Sequence, residues 1–432
     1  MNKIKFIMFS IFILIILVAL FPRILNLFTK DIASINDSDL SLRIISVSDE
    51  KNAYFDLIKI EEVVYEPEGK TKEIKDMIDN KMWNEELAKE IIFNNQEAFD
   101  FFSVAVRKPN YQYPLLADPK NINSRMILPS LNSWRIISGY SSIKALYLSK
   151  QEKKKEAIEE ALSSVYVAQK MQESQVSLIE YLVAMDMKKR GFKTIQSIIT
   201  SSNLNNSELK KYALDMDQFY KNEDGLIAII KCEYHIRSLT IDALANGDTE
   251  MFPSFTEEES HGISKKLNNN YYFRPNKTKD LFASYARKNI ENTNKFYNNI
   301  ENIDIQTQAP SSFIEIYLSE NIIGKTLYDI TATGLSSMNT KKCNEDSLVS
   351  ATQTMIAMKA YKNDNGDLPN SLEQLVPDYL SSVPLDYFDG NSLRYSKEDK
   401  ILYSIGKNLK DNGGSRVDDR HTMSDLTWKI NF

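Results

Sequence analysis

The side chains able to carry chemistry in this 432-residue chain are few and scattered. Its three histidines, His235, His261 and His421, lie far apart, and no HExxH or paired-histidine spacing occurs. A zinc hydrolase needs two such ligands on one helical face, so that chemistry has no support. His235 follows Glu233 by two residues, a spacing that points the two to different faces of a helix. It reads as an ordinary helical histidine. Gly324-Lys325-Thr326 matches the end of a phosphate-binding loop, but the glycine required earlier is Ser319. Glu320 would repel phosphate, and residues 315–330 read as helix rather than strand, loop and helix. No nucleotide is expected. No GxSxG elbow is present. Cys232 and Cys343 lack metal-type spacing and read as free buried thiols, a single disulfide being the alternative in an oxidising compartment. Carboxylates are plentiful, yet the sequence places no two of them as acid and base. We read the chain as a non-enzyme.

Composition narrows the partners. The 53 basic and 59 acidic residues leave a net charge of -6, which argues against nucleic acid, since that needs a basic face. Hydrophobic residues at 42% suffice for a buried core. Only 13 glycines and 12 prolines leave little material for long flexible linkers.

The elements that would position any site begin with an apolar run from Phe6 to Phe21, broken only by Ser10. With its flanks it approaches the ~20 residues that span a bilayer. Lys3 and Lys5 precede it, the charge placement that keeps an N-terminus cytoplasmic, and Arg23 and Lys30 follow. The run ends Val18-Ala19-Leu20-Phe21-Pro22, which lacks the small residues of a cleavage site. Residues 1–30 therefore read as an uncleaved signal anchor, a single-pass transmembrane helix in the bacterial inner membrane. The rest of the chain would be extracytoplasmic.

Residues 31–340 read as a helical domain. Apolar residues step by three and four at Trp134, Ile136, Tyr140, Ile143 and Tyr147, then at Ala157, Ala161, Val165 and Ala168. Further sets are Leu178, Leu182 and Met185, then Phe192, Ile195 and Ile199, then Tyr212, Met216 and Phe219. Each set shares one helix face. Breaks at Lys150-Gln151-Glu152, at Ser201-Ser202-Asn203 and at Asn205-Asn206-Ser207 predict an array of antiparallel helical hairpins. Glu257-Glu258-Glu259 and Asn268-Asn269-Asn270 mark a solvated loop.

From Asp346 the pattern changes. A helix to Tyr361 ends at Asn363-Asp364-Asn365-Gly366, a glycine stop. A short helix follows at Leu372 to Leu375, then Val383-Pro384-Leu385-Asp386-Tyr387-Phe388-Asp389-Gly390. Strands at 392–396 and 401–405 form a hairpin across Lys397 to Lys400, and 426–430 reads as a last strand.

This order of helix, Y-x-x-D-N-G-x-x-P, short helix, V-P-x-D-x-F-D-G, strand, Y-S-x-G and acidic glycine loop resembles the C-terminal domain of the major pseudopilin of type II secretion. The likeness is carried by Tyr361, Asp364, Asn365, Gly366, Pro369, Leu372, Leu375, Pro384, Asp386, Gly390, Tyr395, Tyr403, Ser404, Gly406, Asp411, Gly413, Gly414, Asp425 and Trp428. The resemblance implies an α+β module with a short antiparallel sheet over residues 341–432, and calcium in the loop after Y-S-x-G. Calcium takes several oxygen ligands in flexible geometry, and a loop dense in Asp, Asn and Gly suits it. Carried over by position, the ligands are Asn408, Asp411, Asp418, Asp419 and Asp425. The loop departs from the family in its length, in Asn408 where Asp is usual, and in Lys407, Lys410, Arg416 and Arg420. Those cations could pair with the same carboxylates. The first glycine is Gly69, so the N-terminus lacks the glycine that a true pilin carries before its apolar helix.

The whole chain also resembles membrane-anchored proteins of the planctomycete and related bacterial groups that carry this module behind a helical domain. Asn52-Ala53-Tyr54, Phe273-Arg274-Pro275-Asn276 and Ile323-Gly324-Lys325 carry that likeness. It implies no activity. The expected protein is mainly α, with a transmembrane helix, a helical hairpin array and a small pseudopilin-like module. It would serve envelope interaction or assembly, with the membrane and an envelope protein as partners. The alternatives are an exported hydrolase of envelope polymers and a passive helical spacer.

Overall fold

The computed structural model describes residues 20–21, 24–122, 131–201, 204–220, 223–248, 269–301, 303, 318–414 and 425–432. Helices of eight or more residues are α1 (Thr71–Ile78), α2 (Glu85–Asn94), α3 (Gln96–Arg107), α4 (Leu131–Lys150), α5 (Lys154–Gln172) and α6 (Leu178–Thr200). They continue with α7 (Asn206–Asp215), α8 (Glu223–Ala245), α9 (Pro275–Glu291), α10 (Ile322–Ser336) and α11 (Met338–Asn365). Three strands, β1 (Arg394–Ser396), β2 (Ile401–Ser404) and β3 (Leu426–Lys429), form one antiparallel sheet in that order. The chain is thus mainly helical with a small antiparallel sheet near its C-terminus, as the sequence predicts. The apolar run up to Ala19 lies outside the described residues, and no helix among the described residues is long and apolar enough to cross a membrane.

Helix ends fall where the local chemistry sets them. Ser177 and Glu180 form a capping box at α6, which satisfies backbone donors that a helix start leaves open. Asn205 accepts from the Glu208 amide and starts α7. Gly366, at φ +79°, ends α11 in the left-handed conformation that glycine adopts without penalty. The connections Gln151–Lys153 and Glu173–Ser177 are short enough to fold α4, α5 and α6 back on one another. The apolar sets on α4 and α5 point inward: Trp134, Ile143, Ala157, Val165 and Ala168 are fully buried.

Three expectations change. The sets at 178–185 and 192–199 belong to one continuous helix, α6, because nothing between Met185 and Phe192 breaks it. Leu182 and Met185 are only half buried and border a groove between α6, α11 and β3. The helix expected from Asp346 begins at Met338 and runs to Asn365. It is buried on nearly all sides, which explains its lack of an apolar stripe. Two of its buried hydroxyls are satisfied within the helix: Thr352 Oγ1 donates to the Leu348 carbonyl at 2.8 Å and Thr354 Oγ1 to the Ser350 carbonyl at 2.6 Å.

Two large apolar clusters result. One gathers α2 to α6 with α8 to α11; the other joins α4 to α7 with α11 and the C-terminal residues Leu368 to Ile430. The second cluster therefore crosses residue 341, and Leu402 of β2 packs in it with Val349 and Ile356 of α11.

Close helix approach makes one glycine indispensable. A Cβ on Gly191 of α6 would lie 2.5 Å from Val165 Cγ2 and 2.8 Å from the Ala161 carbonyl oxygen of α5. Gly191→Ala should push α5 and α6 apart and lower stability by about 1–3 kcal/mol. Chemical unfolding would read this as a lower midpoint with an unchanged slope. An unchanged midpoint would mean the pair can separate without cost.

Candidate functional site

The acidic C-terminal loop is organised by two carboxylates of different kinds. Asp386, fully buried, accepts from the Phe388 amide (2.9 Å), Ser404 Oγ (2.8 Å), the Ile405 amide (3.0 Å) and Arg394 Nη1 (2.7 Å). Each lone-pair position has a donor, so this aspartate is a structural hub. Arg394 also pairs with Asp389. Asp425 is different. It is 2% exposed, and its Oδ2 accepts the amides of Asn412 (3.0 Å) and Gly414 (2.8 Å). Its Oδ1 is buried and accepts no hydrogen bond among the described residues. Burial pushes the Asp425 carboxyl above its ordinary range, against the pull of those two amides.

Of the expected calcium ligands, the structure brings Asp411 and Asp425 to the same turn. Asp411 Oδ1 accepts the Gly413 amide at 2.9 Å, and Oδ2 lies 3.9 Å from Arg394 Nε. Asn408 acts as a turn former, its oxygen on the Lys410 amide (3.0 Å) and its amide on Asn412 Oδ1 (3.1 Å). Asp418 and Asp419 lie outside the described residues, as do Arg416 and Arg420. Among the described residues no group of three or more His, Cys, Asp or Glu side chains is placed to hold a metal. The unpartnered Asp425 Oδ1 fits a cation, because a buried carboxylate oxygen without a donor is costly. Asp425 and Asp411 would hold calcium there, which would partner the open Asp425 oxygen.

A second constellation was not legible in the sequence. A cavity of about 750 Å³ opens between α8, α11, the segment after α9 and Tyr387. Lys342 and Asp346 of α11 form an ion pair in its wall, both more than nine-tenths buried. Burial raises the Asp346 carboxyl, opposed by Lys342. Burial acts to lower Lys342, but the Asp346 and Glu345 carboxylates outweigh it and keep the ammonium charged. Cys343 lies beside them with its thiol pushed up to about 12 by burial, so it is not a thiolate nucleophile. The one available signal was the four-residue spacing of Lys342 and Asp346, which is common on solvated helix faces and says nothing of a cavity. Cys232 and Cys343 are both free and buried, in separate apolar clusters.

The three stretches behind the whole-chain resemblance are structural. Asn52 exchanges hydrogen bonds with the backbone of Gln112 at 2.8 and 2.9 Å. The Arg274 amide donates to Asn321 Oδ1 at 2.8 Å, and Arg274 Nη1 pairs with Glu320 at 2.5 Å. Gly324 sits within α10 against Thr278, where a Cβ would come within 2.1 Å of Oγ1. Gly324-Lys325-Thr326 is therefore helix, as its sequence context implies, and the glycine serves packing. His235 contacts the Pro119 carbonyl at 3.3 Å. His261 and His421 lie outside the described residues.

Asp386→Ala should cost about 1–3 kcal/mol, because it leaves the buried Phe388 and Ile405 amides and the Ser404 hydroxyl without their acceptor, while Arg394 keeps Asp389. Unfolding midpoints would show this, with a smaller loss for Asp386→Asn. For Asp425, a carboxyl raised in the fold favours the folded state at low pH. That contribution is lost as pH rises from the unfolded value, roughly 4, through the raised folded value. In chelator, wild type minus Asp425→Asn stability should fall over that window, read by melting temperature against pH. A rise instead would mean the carboxylate is already paired.

Comparison of the chain with family models, with curated proteins and with solved structures finds no match.

Proposed function

We propose that this protein is a membrane-anchored, extracytoplasmic interaction or assembly protein of the bacterial cell envelope, secretion-related through a pseudopilin-like C-terminal module, and not an enzyme. The observation that carries this reading is at the N-terminal end. Directly after the apolar run, Leu27 and Phe28 are 78% and 80% exposed, and Ile24 is 43% exposed. A contiguous apolar surface of this kind belongs in a membrane interface or against a partner. Asp31 fixes that segment to the body, accepting the amides of Asn276 (2.7 Å) and Lys277 (3.1 Å) at the start of α9. An anchor tied in this way holds the helical array at a set position on the membrane.

The C-terminal module extends the reading. It shares its core with α11, so its loops are presented on a rigid support. The resemblance to the major pseudopilin suggests calcium in the loop, with Asp411 and Asp425 as ligands. The competing reading, a hydrolase of envelope polymers, draws on the cavity beside Lys342 and Asp346. It is weakened because Asp346 is committed to Lys342 and the Cys343 thiol is held protonated.

A reporter enzyme that folds only outside the cytoplasm, fused after Phe432, should be active, and the fusion should stay in the membrane pellet under alkaline extraction. An inactive reporter, or release into the supernatant, would overturn the anchored orientation. Millimolar calcium should raise the melting temperature of the full chain. Saturation at about 100 times the dissociation constant corresponds to roughly 2.7 kcal/mol. The rise should vanish in Asp425→Asn and shrink in Asp411→Ala. A rise retained in both variants would place calcium elsewhere.

A further inference from the structure

The cavity beside Lys342 and Asp346 has the size of a small-molecule site, within the roughly 300–1,000 Å³ that such pockets span. Its charges are unevenly committed. Lys295 is paired with Glu301 at 2.9 Å, and Glu173 is exposed to solvent with one oxygen accepting from Gln169 at 2.7 Å. Lys342 directs two donors at the two oxygens of Asp346, which leaves one ammonium proton over. Asp346 accepts from no other described residue, which leaves lone pairs over. Asn339, one helical turn before Lys342, is 7% exposed and makes no hydrogen bond to another described residue. Its amide can both donate and accept. Asp224 stands on the opposite wall, exposed.

The cavity therefore presents a buried positive and a buried negative group side by side, with a bifunctional amide next to them. A buried ion pair loses solvation that its mutual attraction only partly returns, and a ligand that adds donors and acceptors to both ends makes up that deficit. A simple anion would meet Asp346 and Asp224, and a simple cation would meet Lys342. A molecule carrying both charges a few ångströms apart satisfies every group. We propose that this cavity binds a small zwitterion of the amino-acid or short-peptide class. Its carboxylate lies against Lys342 and the Asn339 amide, and its ammonium lies against Asp346 and Asp224. Cys343, Tyr220, Phe296 and Tyr387 also line the cavity, whose volume accommodates a short side chain as well. Binding involves no covalent step. The proposal is independent of the anchoring and calcium readings, since none of its residues belongs to the N-terminal segment or the acidic loop.

The test is calorimetric titration of the detergent-solubilised full chain with glycine, L-alanine, L-glutamate, L-lysine and the dipeptide alanyl-alanine. Acetate and methylammonium, the two halves of a zwitterion, serve as controls. At least one zwitterion should bind saturably, and each half should bind at least about tenfold more weakly, a gap of about 1.4 kcal/mol. Replacing the pair together, Lys342→Met with Asp346→Leu, should abolish binding, because an apolar pair of similar volume keeps the fold. Asn339→Leu leaves the pair intact and should weaken binding about tenfold, a loss of about 1.4 kcal/mol, even if the double variant fails to fold. No saturable binding by any of the five, halves that bind as tightly as the whole, or full affinity in Asn339→Leu would each overturn the proposal.

Discussion

The contact between Lys188 and Glu345 is the constraint on which the two parts of this molecule depend. Lys188 on α6 and Glu345 on α11 meet at 2.9 Å with side chains 0% and 3% exposed. Two isolated charges at that depth would be prohibitive. Here every polar atom is met. Lys188 Nζ also reaches Gln169 Oε1 (2.7 Å), Gln172 Oε1 (3.1 Å) and the Phe219 carbonyl (3.2 Å). Gln172 returns a donor to Glu345 Oε2 at 2.9 Å. A buried pair adds little net stability over an apolar one, but a broken pair costs several kcal/mol. Sliding α11 by one residue would strand both charges, so the network penalises every register of α11 except this one.

Fixing α11 fixes what lies on it. Its N-terminal half places Lys342 and Asp346, one turn apart, at the cavity. Its C-terminal half supplies the floor for Leu375, Leu380, Leu393 and Leu402 of the C-terminal module. The small residues of α11, among them Ser347, Ser350, Ala351, Ala357 and Ala360, let neighbouring elements approach it from several sides. The module is thus held by a helix that belongs equally to the array, which makes it a rigid extension rather than a tethered bead. Within the module, Asp386 joins the turn after Leu385 to the end of β2 and to Arg394.

Local interactions made much of this legible in the sequence. Apolar steps of three and four located the α4 and α5 faces, the Asn205 cap and Gly366 stop located helix ends, and alternation with turn residues located the hairpin of β1 and β2. Carboxylates and glycines in close succession marked the acidic loop. Where the sequence reading failed, a long-range partner had overridden a local signal. Leu182 and Met185 step like core residues, yet they border a groove because α11 and β3 do not close over them. The helix at 338–345 carries no apolar stripe because it is covered all round, and periodicity cannot report a helix without a wet face.

The sequence by itself determined the apolar N-terminal run, the mainly helical class of the fold, the ends of α4, α6 and α11 and the start of α7, and the lack of paired-histidine, nucleotide-loop and nucleophile-elbow motifs. These follow from residue type and spacing within a few turns of chain. Only the tertiary structure decided which polar residues are functional candidates. Lys188, Lys342, Glu345 and Asp346 look like four charges on solvated helices. Folding removes water from all four, satisfies Lys188 and Glu345 completely, and leaves Lys342 and Asp346 with unused hydrogen-bonding capacity at a cavity. Asp386 reads in the sequence as a motif residue and Asp425 as a calcium ligand; in the fold one receives a donor at each oxygen and the other has a buried oxygen with no partner among the described residues. The difference arises from how the turns of the module fold their amides and Arg394 onto each carboxylate, and charge behaves differently once the surrounding dielectric falls.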